Sequence, residues 1–255
     1  MKMRRMLLSL GLALAVGSAS PEATAELPVV QIPLSMSNVF LLKGTAGPVL
    51  VDSGSKNDMS SLVAALAAEG VRIEDLLAVV LTHAHADHAG LAAEIRRRSG
   101  ARLIAGRGDR AMMAAGINDP VTATSLTARL ILSLPLDVRF EPFTADMEID
   151  AEFDLSPYGL AGRALPMPGH TPGSLVVVLD DGRAFVGDMI LGGWLGGALF
   201  PHSAGEHYFH ADVAKNRANI AALAKRPIRQ YFLGHGGPVS AQSVREGFAL
   251  GDGVR

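Results

Sequence analysis

Leu81-Thr82-His83-Ala84-His85-Ala86-Asp87-His88-Ala89-Gly90 packs three imidazoles and a carboxylate into six consecutive positions. Ligand-type side chains at that density point to a bound metal rather than to a solvated turn. The residues before it, Leu76-Leu77-Ala78-Val79-Val80-Leu81, form a short apolar run that reads as a buried strand, and Ala89 to Arg98 reads as a helix. The histidines therefore sit on a strand-to-helix turn. In layered α/β folds sites are built on such turns, because the rigid scaffold aims the loop side chains. In an extended segment His83 and His85 project to the same side. The turn can swing Asp87 and His88 back toward a second point roughly 3.5–4 Å away, the spacing of two-metal sites.

The surrounding chain has 255 residues, is 49% apolar and carries a formal net charge of −2, the make-up of a soluble globular domain able to bury an ample core. Neither the charge balance nor any long Lys/Arg run marks a nucleic-acid surface, so a small-molecule substrate is expected. Residues 1–25 stand apart. Lys2, Arg4 and Arg5 make a basic start, Met6 to Val16 is an apolar stretch too short to span a bilayer, and Ala23-Thr24-Ala25 is an A-x-A cleavage site. They read as a secretory signal peptide, with a retained membrane anchor as the rival. With no cysteine in the chain, a lipid-modified amino terminus and a disulfide framework are both excluded. The expectation is a periplasmic or secreted domain, residues 26–255, with no stable membrane insertion after cleavage.

Between that segment and the histidine turn, Val29-Val30-Gln31-Ile32, Asn38-Val39-Phe40-Leu41-Leu42 and Val49-Leu50-Val51 read as an opening antiparallel meander. Asp58 to Glu69 reads as an amphipathic helix stopped by Gly70. Ala101 to Ala105 is a further strand, giving the strand–helix alternation of an α/β layer. Residues 107–143 carry two short helices, around Asp109 to Ala115 and Ser125 to Ser133. Strands resume over Met147 to Leu155 and Leu160 to Met167, then Leu175 to Leu179, the turn Asp180-Asp181-Gly182-Arg183, and Ala184 to Val186. Ile228 to Leu233 reads as the last strand.

The run His83-Ala84-His85-Ala86-Asp87-His88 matches the H-x-H-x-D-H signature of the metallo-β-lactamase-fold hydrolases, and the chain resembles that superfamily. Later pieces follow in the order the resemblance requires. Pro168-Gly169-His170-Thr171-Pro172-Gly173-Ser174 resembles the next metal loop, Gly187-Asp188 the bridging carboxylate, and Gly234-His235-Gly236 the final ligand turn. The resemblance implies an αββα sandwich of two mixed sheets with outer helices and the metals at one edge. It implies one ion held by His83, His85 and His170, and a second by Asp87, His88 and His235, with Asp188 shared. Val51-Asp52-Ser53-Gly54 resembles the superfamily's V-D-x-G turn, in which Asp52 would hydrogen-bond the metal loop from behind; a simple helix cap is the other reading. It also places a variable insertion over the mouth, here 107–143. We read it as a partial lid with Met112, Met113, Leu130 and Leu134 as adaptable apolar contacts, or with the methionines packed down onto the core.

Imidazole and carboxylate ligands without thiolate suit two divalent ions, zinc first, with iron, manganese or cobalt competing. A hydroxide between them would attack a carbonyl carbon, with Asp87 as the catalytic residue that orients it and passes on its proton. Antibiotic-cleaving members usually have Cys or Ser where this chain has Asp188, so the expected substrate is an ester, lactone or thioester; export keeps a β-lactamase acting on β-lactam amides as an alternative. Twenty residues follow His235, too few for the glutathione-binding helical domain of glyoxalase II. The related acyl-homoserine lactonases place a Tyr soon after the bridging Asp, and Met189 to Leu195 has none. A mononuclear-iron persulfide dioxygenase is the alternative of a different class. The glycine-rich stretch Leu191 to Phe200 is expected to be a pliable loop lining the pocket, with Trp194 over an apolar group of the substrate. His202, His207 and Tyr208 are candidate donors to the reacting carbonyl, and His210 is expected to begin a helix over Ala211 to Lys225.

Overall fold

The computed structural model describes residues 26–135 and 137–251. The expected signal peptide lies outside the described residues. Among those described, no helix is long and apolar enough to cross a membrane.

The first half of the chain lays down β1 (Val29–Pro33), β2 (Asn38–Gly44) and β3 (Gly47–Val51), an antiparallel meander as expected. Helix α1 (Met59–Ala68) then returns the chain to β4 (Ala78–Val80), parallel to β3, and the helices α2 (Ala86–Ala89) and α3 (Ala92–Ser99) return it to β5 (Arg102–Gly106). After α4 (Arg110–Ala115), the two-residue β6 (Thr122–Ala123) and α5 (Leu126–Leu132), β7 (Met147–Ile149) completes a six-stranded sheet ordered β1-β2-β3-β4-β5-β7. The second half supplies β8 (Phe153–Asp154), β9 (Gly162–Pro166), β10 (Leu175–Leu179) and β11 (Arg183–Phe185). It continues through β12 (Leu191–Trp194), β13 (Leu199–Gly205), β14 (Phe209–His210), α6 (Val213–Leu223), β15 (Gln230–Phe232), β16 (Val239–Ser240) and α7 (Ala241–Gly247). The second six-stranded sheet is ordered β16-β15-β11-β10-β9-β8, and its one parallel pair is β11 with β15.

Successive residues of a strand point to opposite faces, so a strand apolar at every position needs a layer on each side. Along β2, Val39 and Leu41 face one apolar cluster together with Leu62, Leu66 and Ile95 of α1 and α3. Phe40 and Leu42 face a second, shared with Leu175, Val177 and Leu179 of β10. Val176, between those, turns to a third cluster with Ile220 and Leu223 of α6 and Val244 of α7. The resulting layers are helix, sheet, sheet, helix, as the resemblance implies. Between the sheets Phe185 stacks on Phe232 at 4.9 Å between centroids, and the edge of Phe40 meets both rings at 5.1 and 5.5 Å.

Four local expectations are corrected. Met147 to Leu155 is not one strand but β7 and β8, which belong to different sheets, because the chain crosses from one layer to the other at Asp150-Ala151-Glu152. The helix expected over Ala89 to Arg98 begins earlier, at Ala86, and is split at Gly90-Leu91 into α2 and α3. Leu191 to Phe200 is a hairpin, β12 with β13, whose glycines fill the turn: Gly193, Gly196 and Gly197 all have positive φ. His210 ends β14, paired with β6, and α6 begins three residues on, capped by the Asp212 carboxylate accepting from Lys215 N–H at 2.9 Å. Of the two arrangements open to the methionines, Met112 and Met113 take the one packed down onto the core, while Leu130 and Leu134 are exposed.

Candidate metal centre

Parallel pairing sends the carboxyl ends of β4, β11 and β15 to one edge of the sandwich, where backbone bonds lock their turns together. Leu175 N–H donates to Thr82 C=O at 2.7 Å, Val186 N–H to Phe232 C=O at 2.9 Å, and Gly234 N–H to Gly187 C=O at 3.0 Å. The Asn38 side chain on β2 donates to the carbonyls of both Leu233 and Gly236 at 2.9 Å. Four chain-distant turns thus arrive together by sheet geometry alone.

Two groups of ligand atoms, each within 4.8 Å of one another, form there: His83 with His85 and His170, and Asp87 with His88, Asp188 and His235. Asp188 stands between them. Its Oδ2 is 3.9 Å from His83 Nε2, 3.7 Å from His170 Nε2 and 3.3 Å from His235 Nε2, and its Oδ1 is 3.3 Å from His88 Nε2. Asp87 Oδ2 lies 3.2 Å from His235 Nε2 and 3.6 Å from His88 Nε2. Every other member is nearly enclosed, while the Asp87 side chain keeps 25% of its surface, so the mouth opens on the Asp87 side.

Groups behind the rings set which nitrogen is free. Thr82 Oγ1–H donates to the Asp52 carboxylate at 2.8 Å, so that Oγ1 accepts from His83 Nδ1–H at 3.1 Å. His88 Nδ1–H donates to Asp52 Oδ2 at 2.8 Å, and His170 Nδ1–H to Phe209 C=O at 2.8 Å. With the proton of the neutral ring on Nδ1, each of the three would aim a lone pair from Nε2 into the centre. His85 turns the other way, its Nδ1 3.1 Å from His170 Nε2. Asp52 does not cap α1, whose N-cap is Asp58; fully buried, it ties the metal turn from behind and also accepts from Thr82 N–H at 2.7 Å.

Electrostatics separate the two groups. Burial, then the neighbouring imidazoles, holds His83 and His170 well below the usual histidine range, and burial also lowers His85, the direction that suits neutral imidazoles able to take a metal. His235 is pushed up to about 10 and His88 well above its ordinary value; for both, burial is outweighed by the Asp188 and Asp87 carboxylates. Those carboxylates are lowered in turn against the same burial by His88 and His235. Positive charge beside this pair of carboxylates is thus favoured, from the two imidazoles or from a bound cation. Among the described residues, His83 Nε2, His85 Nε2, His88 Nε2 and Asp188 Oδ1 are buried without a hydrogen-bond partner, the condition that metal ions relieve. The donor set fits two divalent ions.

The remaining sequence candidates fall in different places. Trp194 is 65% exposed at the end of β12, beside the exposed Leu195, Leu199 and Phe200. Tyr208 Oη accepts from Leu195 N–H at 2.9 Å and so pins the hairpin tip. His202 is exposed, its Nδ1 2.9 Å from Pro238 C=O, and it joins neither ligand group. His207 is buried and comes to the centre itself, its Nε2 3.2 Å from Asp188 Oδ2. Burial lowers it to about 4.

Two contributors went unread in the sequence. Asn118 Oδ1 accepts from Ala86 N–H at 2.8 Å, joining the 107–143 segment to the metal turn. Asp109, buried, accepts from Ala84 N–H at 3.0 Å, Thr171 Oγ1–H at 2.9 Å and Gly173 N–H at 2.7 Å, stapling the two histidine turns to each other. Its only sequence signal is an acidic residue at a helix start, which is common. Asp109→Ala would strand three buried donors, and it is expected to lower stability by about 3–5 kcal/mol, read as a shifted urea midpoint with unchanged slope. A midpoint within error of the parent would show the staple to be dispensable.

The family model described as the metallo-beta-lactamase superfamily matches residues 32–235, and the chain belongs to that superfamily. A hydroxyacylglutathione hydrolase of Anaeromyxobacter dehalogenans is 31% identical over 157 residues, 62% of this chain and 46% of that protein. The beta-lactamase-like protein 2 homolog of Drosophila melanogaster is 28% identical over 163 residues, 62% of this chain and 48% of that one. The matches thus span under half the length of these curated relatives. Among solved structures, the BLEG-1 B3 metallo-beta-lactamase superposes with TM-score 0.62 at 22% identity, covering 86% of this chain and 97% of that one. BJP-1, a subclass B3 enzyme of Bradyrhizobium japonicum, gives 0.58 at 22% identity over 81% of this chain and 74% of that one. Likeness at that identity is likeness of fold.

Proposed function

We propose that this protein is a metal-dependent hydrolase acting on a small carbonyl ester, lactone or thioester. The observation that carries the reading is the convergence of histidine and aspartate side chains from four turns on one point, with the buried, partnerless atoms His83 Nε2, His85 Nε2, His88 Nε2 and Asp188 Oδ1 among them. His83, His85 and His170 would hold one ion, Asp87, His88 and His235 the other, and Asp188 would face both. Bound there, two divalent ions, zinc being the best fit to the donor set, would bring the pKa of water near 7 and polarise a carbonyl.

The chain's own groups do the rest. Asp87 is the one carboxylate of the set with open surface, so it is placed to orient the attacking water and carry its proton toward solvent. The enclosed imidazoles and Asp52 exclude water from behind, leaving one direction of approach. Trp194, Leu195 and Phe200, exposed on the hairpin that leaves Asp188, offer an apolar wall for an acyl or ring group. The carboxylate at Asp188 and the curated relative named hydroxyacylglutathione hydrolase support the ester, lactone and thioester branch over β-lactam amides.

Turnover of the purified protein should be measured on aryl esters, acyl-homoserine lactones, thioesters and a chromogenic cephalosporin, with metal content determined on the same sample. The expected result is two metal equivalents per chain and hydrolysis of at least one of the first three classes, abolished by chelation and restored by zinc. One iron per chain with no hydrolysis would overturn the reading in favour of an oxidative relative; turnover of the cephalosporin alone would move the substrate to the amide class.

A further inference from the structure

We propose that His207 is an additional protein ligand of the metal centre, binding through Nε2 beside His170 and Asp188; the proposal rests on the metal-dependent reading above. His207 Nε2 lies 3.2 Å from Asp188 Oδ2, as near as His235 Nε2 at 3.3 Å and nearer than His170 Nε2 at 3.7 Å or His83 Nε2 at 3.9 Å. Four imidazole nitrogens therefore crowd one carboxylate oxygen. That oxygen has two lone pairs and cannot accept hydrogen bonds from all four, whereas a cation beside it gives each ring a partner. His170, Asp188 and His207 also present ligand atoms within 4.8 Å of one another, the same closeness as the two groups above.

The segment carrying His207 is built to hold it there. His207 Nδ1 is 3.2 Å from Phe209 C=O, the carbonyl that also takes His170 Nδ1–H at 2.8 Å, so one backbone oxygen aims both Nε2 atoms inward. Ala211 N–H and Asp212 N–H donate to His170 C=O and Gly169 C=O at 2.9 Å, stitching the segment to the second histidine turn. On the other side Thr124 Oγ1–H donates to His207 C=O at 2.8 Å and Thr124 N–H to Tyr208 C=O at 2.9 Å. Glu206 ties down the two ends, accepting from Arg217 Nε–H at 2.5 Å and meeting His210 Nε2 at 2.9 Å. A side chain meant to swing onto a passing substrate would not be fastened at every neighbour. This also gives the 107–143 segment a role: β6 and Thr124 brace the strand that delivers His207.

The competing arrangement is equally definite. Phe209 N–H lies 3.3 Å from His207 Nδ1, and in the tautomer that accepts this bond Nε2–H would donate to Asp188 instead of binding metal. The two are separated by loading chelator-stripped full-length protein with Co(II) and counting hyperfine-shifted imidazole N–H resonances. A ligating histidine keeps one ring proton, so six such signals are expected, one for each of His83, His85, His88, His170, His207 and His235. In parallel, His207→Ala should weaken Co(II) binding at least about 10-fold in competition with a chromophoric chelator and alter the visible cobalt spectrum. Five signals in the parent, or a variant with parental affinity and spectrum, would overturn the proposal while leaving the hydrolase reading intact. The signal count needs no variant and decides the matter even if His207→Ala does not fold. Parent protein that binds no Co(II) at all would instead remove the metal-dependent reading and this ligand with it.

Discussion

Gly234→Ala is expected to strip the centre of metal while leaving the fold in place, with kcat/KM falling about 100-fold or more. Gly234 lies two residues past β15 and has no left-handed backbone to defend, so the cost is one of space. A Cβ there would stand 2.2 Å from Asp188 Oδ1, 2.6 Å from His88 Cε1 and 3.2 Å from His88 Nε2. All are atoms of the inner face of the site, and none can retreat: both side chains are buried and tied to the surrounding turns. The carboxylate facing both metal positions and one ligand of the second would be displaced together. Metal analysis alongside kinetics on the best substrate checks this; full occupancy with parental turnover would mean that the centre can shift by more than its hydrogen bonds permit.

Asp52→Asn is expected to cost about 10–100-fold in affinity at the group formed by Asp87, His88, Asp188 and His235. Asp52 has φ +64°, a left-handed conformation that asparagine also tolerates, so the backbone should survive. The amide oxygen can still accept from Thr82. Its NH2, however, would face His88 Nδ1 where Oδ2 now accepts at 2.8 Å. To take that bond His88 would move its proton to Nε2, and the lone pair needed for metal would be gone. The group of His83, His85 and His170 should be affected less, since the Thr82 bridge to His83 Nδ1 is kept. Chelator competition resolving two metal affinities would show one weakened; two unchanged affinities would show that Asp52 only holds the backbone.

Much of the architecture was legible because its signals are local. The apolar runs over Val39 to Leu42 and Leu175 to Leu179 each fall into two clusters on opposite faces, and strands apolar at every position announce burial on both sides. Gly70 and Gly100 mark helix ends by positive φ. Where such signals are absent or ambiguous, the sequence misleads. Met147 to Leu155 reads as one strand since nothing in its pattern marks the passage between layers. The glycines of Leu191 to Phe200 suggest a loop, although a hairpin with left-handed residues at its turn uses them equally well.

The site divides in the same way. The sequence alone determined the ligand chemistry and the turns that bear it, because His83 to His88 are contiguous and Pro168 to Ser174, Gly187-Asp188 and Gly234-His235-Gly236 each carry their own backbone signature. Only the tertiary structure decided that Asp52 lies behind two ligand rings, that Asp109 staples the two histidine turns, that His202 points away and that His207 reaches Asp188. Apart from the V-D-x-G turn around Asp52, which a helix cap would explain as well, none of these is marked by a pattern of neighbours in the chain. Each depends on which strand ends the sheets bring side by side, and a carboxylate or an imidazole in a loop looks the same in sequence whether it meets solvent or a metal centre.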